Sequence, residues 1–130
     1  MISSALLDLC RERFAAESAI VAVWVFGSAV SGRLREDSDV DFAVFYAPDA
    51  ARDIADRARL VGDLEAILQR SVDLGRLSSR NLVYAVQATQ RGKLLYARDP
   101  QEALAFVSRM YSLYLDLKYD RKVVEDAYCA

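Results

Sequence analysis

The 130-residue sequence contains no histidine. That absence removes Ser-His-Asp and Cys-His nucleophilic machinery and the common histidine-rich zinc sites. Acid–base and metal chemistry then falls to the 19 acidic side chains. Cysteine is scarce: Cys10 and Cys129 sit near opposite ends, form no C-x-x-C and are too few for a disulfide framework. They read as partly buried free thiols in a reducing cytoplasm. Five glycines and two prolines leave no room for a long flexible linker, and there is no internal repeat. The longest wholly apolar run, Ala19 to Phe26, is far short of a membrane span, and Met1 to Asp8 lacks the pattern of a signal peptide. A net charge of −2 gives no general attraction to nucleic acid or to anionic membranes. A single cytoplasmic domain over residues 1–130 is expected, without a direct nucleic-acid or membrane partner.

What is present is apolar and patterned. Apolar residues make up 54% of the chain, and a chain of this size buries roughly two-thirds of its unfolded surface. Ser3 or Ser4 caps a predicted helix through about Ala16. Ile20 to Phe26 (IVAVWVF) is a strand apolar on both faces that stops at Gly27-Ser28. Val40 to Tyr46 (VDFAVFY) is a second strand. Asp49 to about Gln69 carries apolar residues at helical spacing, and Val72 to Leu77 is a short third strand. Ser78 or Ser79 caps a helix ending near Gly92, where glycine suits a helix C-terminus. Lys93 to Tyr96 is a fourth strand. Asp99-Pro100-Gln101-Glu102 starts the last helix, with Asp as cap, Pro first and Glu reaching back, and it runs to about Ala127. This order is mixed α/β (α+β): a small mixed β-sheet covered by helices.

The chemistry concentrates in Gly27 to Asp41, GSAVSGRLREDSDVD. Period-two geometry places Asp39 and Asp41 on one face of the second strand, about 7 Å apart. They share that face with Ala43 and Phe45, which belong to core. Two carboxylates held so close repel unless a cation lies between them. Hard oxygen donors suit Mg²⁺ or Mn²⁺, which take further ligands from substrate phosphate. Gly27-Ser28 offers backbone N–H groups and a hydroxyl that can cradle phosphate oxygens. Asp73, in SVDLGRL, joins the pair if the third strand lies beside the second. Three carboxylates on two strands would then serve two divalent ions, which clamp the attacking and leaving oxygens of a phosphoryl-type displacement. Taken singly, a D-x-D or a Gly-Ser is more often a strand end or a cap; the joint pattern carries the chemistry.

The G-S-x10-D-x-D spacing of Gly27-Ser28 and Asp39-Val40-Asp41 resembles the signature of the nucleotidyltransferase superfamily related to DNA polymerase β. The short chain, FGSAVSGRLREDSDVDF and the later VDL are similar to the minimal nucleotidyltransferases (MNT), which serve as antitoxins beside HEPN-domain ribonuclease toxins. The resemblance implies a nucleotidyltransferase fold. It implies that Asp39, Asp41 and Asp73 hold two Mg²⁺ ions (Mn²⁺ as a substitute), with Asp73 also helping to deprotonate the acceptor. Gly27 and Ser28 would bind the outgoing phosphates of ATP. The implied reaction transfers AMP from ATP to a tyrosine of the toxin and releases pyrophosphate. Many relatives carry Arg directly after Gly-Ser, where this chain has Ala29; Arg33 and Arg35 either supply that charge or stand in solvent. Two other functions compete: a non-catalytic antitoxin that neutralises by contact, and a small-molecule nucleotidyltransferase, for whose usual second domain the chain has little length.

The last helix is apolar on two stripes. Leu104, Val107, Tyr111, Tyr114 and Leu115 form one; Phe106, Met110, Leu113 and Leu117 form the other. One stripe suffices to cover a sheet. The second is either further core or a homodimer or toxin interface, where Tyr and Met are enriched.

Overall fold

The computed structural model describes residues 2–26, 39–48 and 54–129. Helix α1 (Ser4–Ala15) leads into β1 (Ile20–Phe26). Strand β2 (Val40–Tyr46) is followed by α2 (Ile54–Leu68), β3 (Val72–Arg76), α3 (Leu82–Arg91), β4 (Gly92–Ala97) and α4 (Pro100–Cys129). The strands form one mixed sheet in the order β3-β2-β1-β4. β1 runs antiparallel to β2 and β4, and β2 runs parallel to β3. The expected α+β architecture is thus observed.

Alternation along the strands divides the core into two layers. Val23, Val25, Val40, Phe42 and Val44 meet Cys10 and Phe14 of α1 and Leu60 and Leu64 of α2. On the other face, Trp24 and Ala43 meet Ala85 and Ala88 of α3 and Phe106 and Met110 of α4. Both layers carry an aromatic contact: Phe14 meets Phe42 edge-on at 5.2 Å, and Phe106 stacks on Phe45 at 3.9 Å. β1 is buried from Ile20 to Val25, as its uniform apolarity requires. A break in pairing register between Ile20 and Ala22 lets the adjacent Val21 and Ala22 join the same layer.

Helix side chains cap both sheet edges. Arg11 Nε donates to the Leu95 carbonyl of β4 at 2.7 Å, and Arg57 Nη2 donates to the Leu74 carbonyl of β3 at 2.8 Å. Glu65 accepts from Val72 N–H at 3.1 Å. Charged groups thereby occupy backbone positions on which another strand could pair.

Several local signals act differently from the sequence reading. Ser78 caps only a short 3-10 turn (Ser79–Asn81), and Asn81 caps α3 through Tyr84 N–H. Gly92 is extended (φ −83°, ψ 167°) rather than left-handed. Its need is space, because a Cβ there would lie 2.5 Å from the Ala88 carbonyl oxygen. Asp99 caps α4 by accepting from Gln101 N–H at 3.0 Å, but Glu102 is engaged by Arg98 in a two-pronged pair instead of reaching back. That pairing lowers the Glu102 pKa.

α4 is 30 residues long, about 45 Å at 1.5 Å per residue. Ala103, Phe106 and Met110 pack on the sheet, whereas every residue from Leu115 to Tyr128 is exposed. One of its two apolar stripes is core at its start only; Leu104 and Tyr111 of the other stripe face solvent. Among the described residues, no helix is long and apolar enough to cross a membrane.

Candidate active site

The sheet brings the strand carboxylates together. β2 and β3 are parallel and in register, with Asp41 directly opposite Asp73. Adjacent strands lie about 4.8 Å apart, so two carboxylates emerge side by side on one face. The bond from Val40 N–H to the Ser71 carbonyl, 2.9 Å, fixes this register at its start. Asp39 stands immediately before β2. All three side chains are exposed, while Val40 and Phe42, on either side of Asp41, are fully buried on the opposite face. The core anchors the strand and leaves the acids at its rim.

The electrostatics record the crowding. Burial by neighbouring groups, then the charges of Asp73 and Asp39, raise the Asp41 pKa above the ordinary carboxylate value. Like charges oppose each other's ionisation, and a nearby cation relieves that repulsion. Among the described residues, no three acidic or cysteine side chains converge into a ready-made metal cage. Mg²⁺ does not need one: it is usually held by one or two carboxylates, with waters and substrate phosphates completing the octahedron. The exposed, all-oxygen donor set of Asp39, Asp41 and Asp73 fits that ion.

Tyr84 of α3 completes this face and was not singled out by the sequence. Its hydroxyl lies directly over Gly75, where a Cβ would come within 1.7 Å of the phenolic oxygen and 2.6 Å of Cζ. Gly75 lies two residues beyond Asp73 on the same face and pairs with Ala43. Two small residues thus make room for one ring. Burial, then Asp73 and Asp41, raise the Tyr84 pKa, so the phenol stays protonated as a hydrogen-bond donor. Phe26 flanks it, ring to ring at 6.4 Å. The one legible signal was the glycine inside a strand, which marks a close approach.

β1 ends at Phe26 beside the start of β2, with Val25 opposite Phe42. The chain therefore leaves β1 at the rim that carries the acids. Gly27 and Ser28, with Ala29, Arg33 and Arg35, lie outside the described residues.

Paired strand carboxylates on a small mixed sheet, with Gly-Ser following the first strand in sequence, suit a nucleotidyl-transferring enzyme. The sequence matches the polymerase beta, nucleotidyltransferase family over residues 9–101. The chain belongs to that family. No curated protein matches in sequence. Solved structures do. A chain of a toxin–antitoxin structure with AMP-PNP is 26% identical, with a TM-score of 0.72 over 99% of this chain and 100% of that one. A chain from tri-AMPylated Shewanella oneidensis HEPN toxin in complex with MNT antitoxin is 25% identical, with a TM-score of 0.64 over 95% and 99%. A chain of the toxin–antitoxin MntA-HepT, 24% identical over 98% and 100%, shares the fold at a TM-score of 0.71.

Proposed function

We propose that this nucleotidyltransferase is the cytoplasmic antitoxin of a toxin–antitoxin pair and transfers AMP from ATP to a tyrosine of a HEPN ribonuclease toxin. The observation that carries the reading is the in-register pair Asp41 and Asp73, with Asp39 beside it on an exposed rim. Kinship with chains solved with AMP-PNP and with an AMPylated HEPN toxin supports the substrate and the acceptor. Asp39, Asp41 and Asp73 would hold two divalent ions, Mg²⁺ or Mn²⁺. When bound, those ions neutralise phosphate charge and lower the acceptor's pKa.

The chain's own residues do the rest. Gly27 and Ser28 bind the outgoing phosphates. Asp73 takes the proton from the toxin tyrosine as its oxygen bonds to the α-phosphorus of ATP. The bond from that phosphorus to the β-phosphate bridging oxygen breaks, and pyrophosphate leaves. Tyr84, protonated beside these acids, is a positioning residue whose ring is seated over Gly75 of their strand.

The test is incubation with ATP, Mg²⁺ and the toxin, followed by mass spectrometry of the toxin. The expected result is an AMP adduct on tyrosine that disappears with Asp39→Ala plus Asp41→Ala. No adduct, or one that survives the double substitution, overturns the proposal. The exposed apolar face of α4 favours a second reading, an antitoxin that neutralises by contact. It requires the double-alanine variant still to protect cells from the toxin. Loss of protection with the complex intact refutes it.

A further inference from the structure

The stripe with which α4 covers the sheet does not stop where the sheet stops. Phe106, Met110 and Leu113 continue at helical spacing as Leu117, Val124 and Tyr128, on one side of the helix. Phe106 is 7% and Met110 2% exposed, and Leu113 is packed against the core. Leu117, Val124 and Tyr128 are 47%, 55% and 87% exposed. A core stripe prolonged into solvent wants a second surface.

The arrangement of this stripe says what that surface is. Its midpoint falls between Asp120 and Arg121. Leu117 lies three residues before Asp120, and Val124 lies three after Arg121. Leu113 lies seven before, and Tyr128 seven after. The pattern is a palindrome of apolar residues about two opposite charges. A two-fold interface demands this: residue i meets j, and j meets i.

We propose that this face of α4 docks antiparallel on the same face of a second copy of the chain. Leu117 then meets Val124 of the other copy, and Leu113 meets Tyr128, each twice. Asp120 and Arg121 of both copies gather at the two-fold axis as a neutral quartet of two acids and two bases, Arg121 turning from its exposed 3.6 Å ion pair with Glu125 of its own helix towards Asp120 of the other copy. In a parallel pair, Asp120 would instead face Asp120 in the apolar seam. The register is therefore set by charge as well as by apolar contact.

The test is sedimentation of the full chain over a range of concentrations, with circular dichroism confirming that each variant is folded. The wild type is expected to shift from monomer to dimer with rising concentration. Asp120→Arg and Arg121→Asp each place four like charges at the axis and should be monomeric. An equal mixture of the two restores neutrality and should dimerise, as should the double exchange within one chain. In a Cys129→Ser background, Leu117→Cys mixed with Val124→Cys should oxidise to a disulfide-linked heterodimer far faster than either alone. A wild type that is monomeric up to about 1 mM overturns the proposal. So does a mixture no more dimeric than its components, or a stripe shielded only when toxin is bound.

Discussion

Gly75→Ala offers a sharp test of how Tyr84 is seated against the acidic rim. The new Cβ would lie 1.7 Å from the tyrosine oxygen and 2.6 Å from Cζ, where ordinary contact begins near 3.4 Å. The ring must swing away or β3 must shift, and overpacking of this kind costs about 1–3 kcal/mol. Against it stands the gain of about 0.4–1 kcal/mol that Gly→Ala gives at an unstrained position by restricting the unfolded chain. The clash wins, with a net loss of about 1–2 kcal/mol, or a fall in Tm of roughly 3–10 °C for a chain of this size. Urea and thermal denaturation of four proteins close a double-mutant cycle. In a Tyr84→Ala background the same Gly75→Ala change should be neutral or stabilising, a coupling of about 1–3 kcal/mol. Tyr84→Phe should rescue only in part, because Cζ remains. A Gly75→Ala protein as stable as wild type, or one destabilised equally without the tyrosine ring, would refute the seating of Tyr84 over β3.

Other outcomes follow from the same geometry. The Asp41 carboxyl, with its pKa raised, stabilises the fold fully below its unfolded value of about 4 and loses that contribution as pH rises through the folded value. Asp41→Asn should therefore raise the Tm of the cation-free protein at pH 7 by an amount that shrinks towards pH 4, while AMP transfer is lost; a lower Tm at pH 7 contradicts the crowding. Phe106→Ala removes a 7% exposed ring stacked on Phe45 and should cost about 3–5 kcal/mol in chemical denaturation. Cys10 is fully buried, with its thiol pushed up to about 11, so it should resist alkylation at pH 8 until the protein is unfolded.

Much of this was legible because burial leaves periodic marks. IVAVWVF and VDFAVFY could only be strands with apolar neighbours on both sides, and the alternation in the second forced Asp39 and Asp41 onto the face of Ala43. Asp73 was different. Its own alternation gave a face, but membership of the cluster depended on β3 pairing parallel and in register with β2, a non-local choice that no local residue encodes. Tyr84 was hidden for the same reason: a tyrosine near the start of a helix looks like core until Gly75 is known to lie beneath it. Gly92 was placed correctly at the end of α3, for a reason the sequence could not distinguish, since close approach and left-handed backbone both select glycine. The two stripes of α4 were visible, but how far the sheet reaches along the helix is a property of the assembled fold.

The claim that Asp39, Asp41 and Asp73 act as one cation-dependent nucleotide site is tested most directly by calorimetric titration of the protein with AMP-PNP. The analogue should bind with Mg²⁺, and binding should fall at least tenfold when the ion is chelated or when Asp41 is replaced by Asn. Equal affinity under all three conditions would contradict the account.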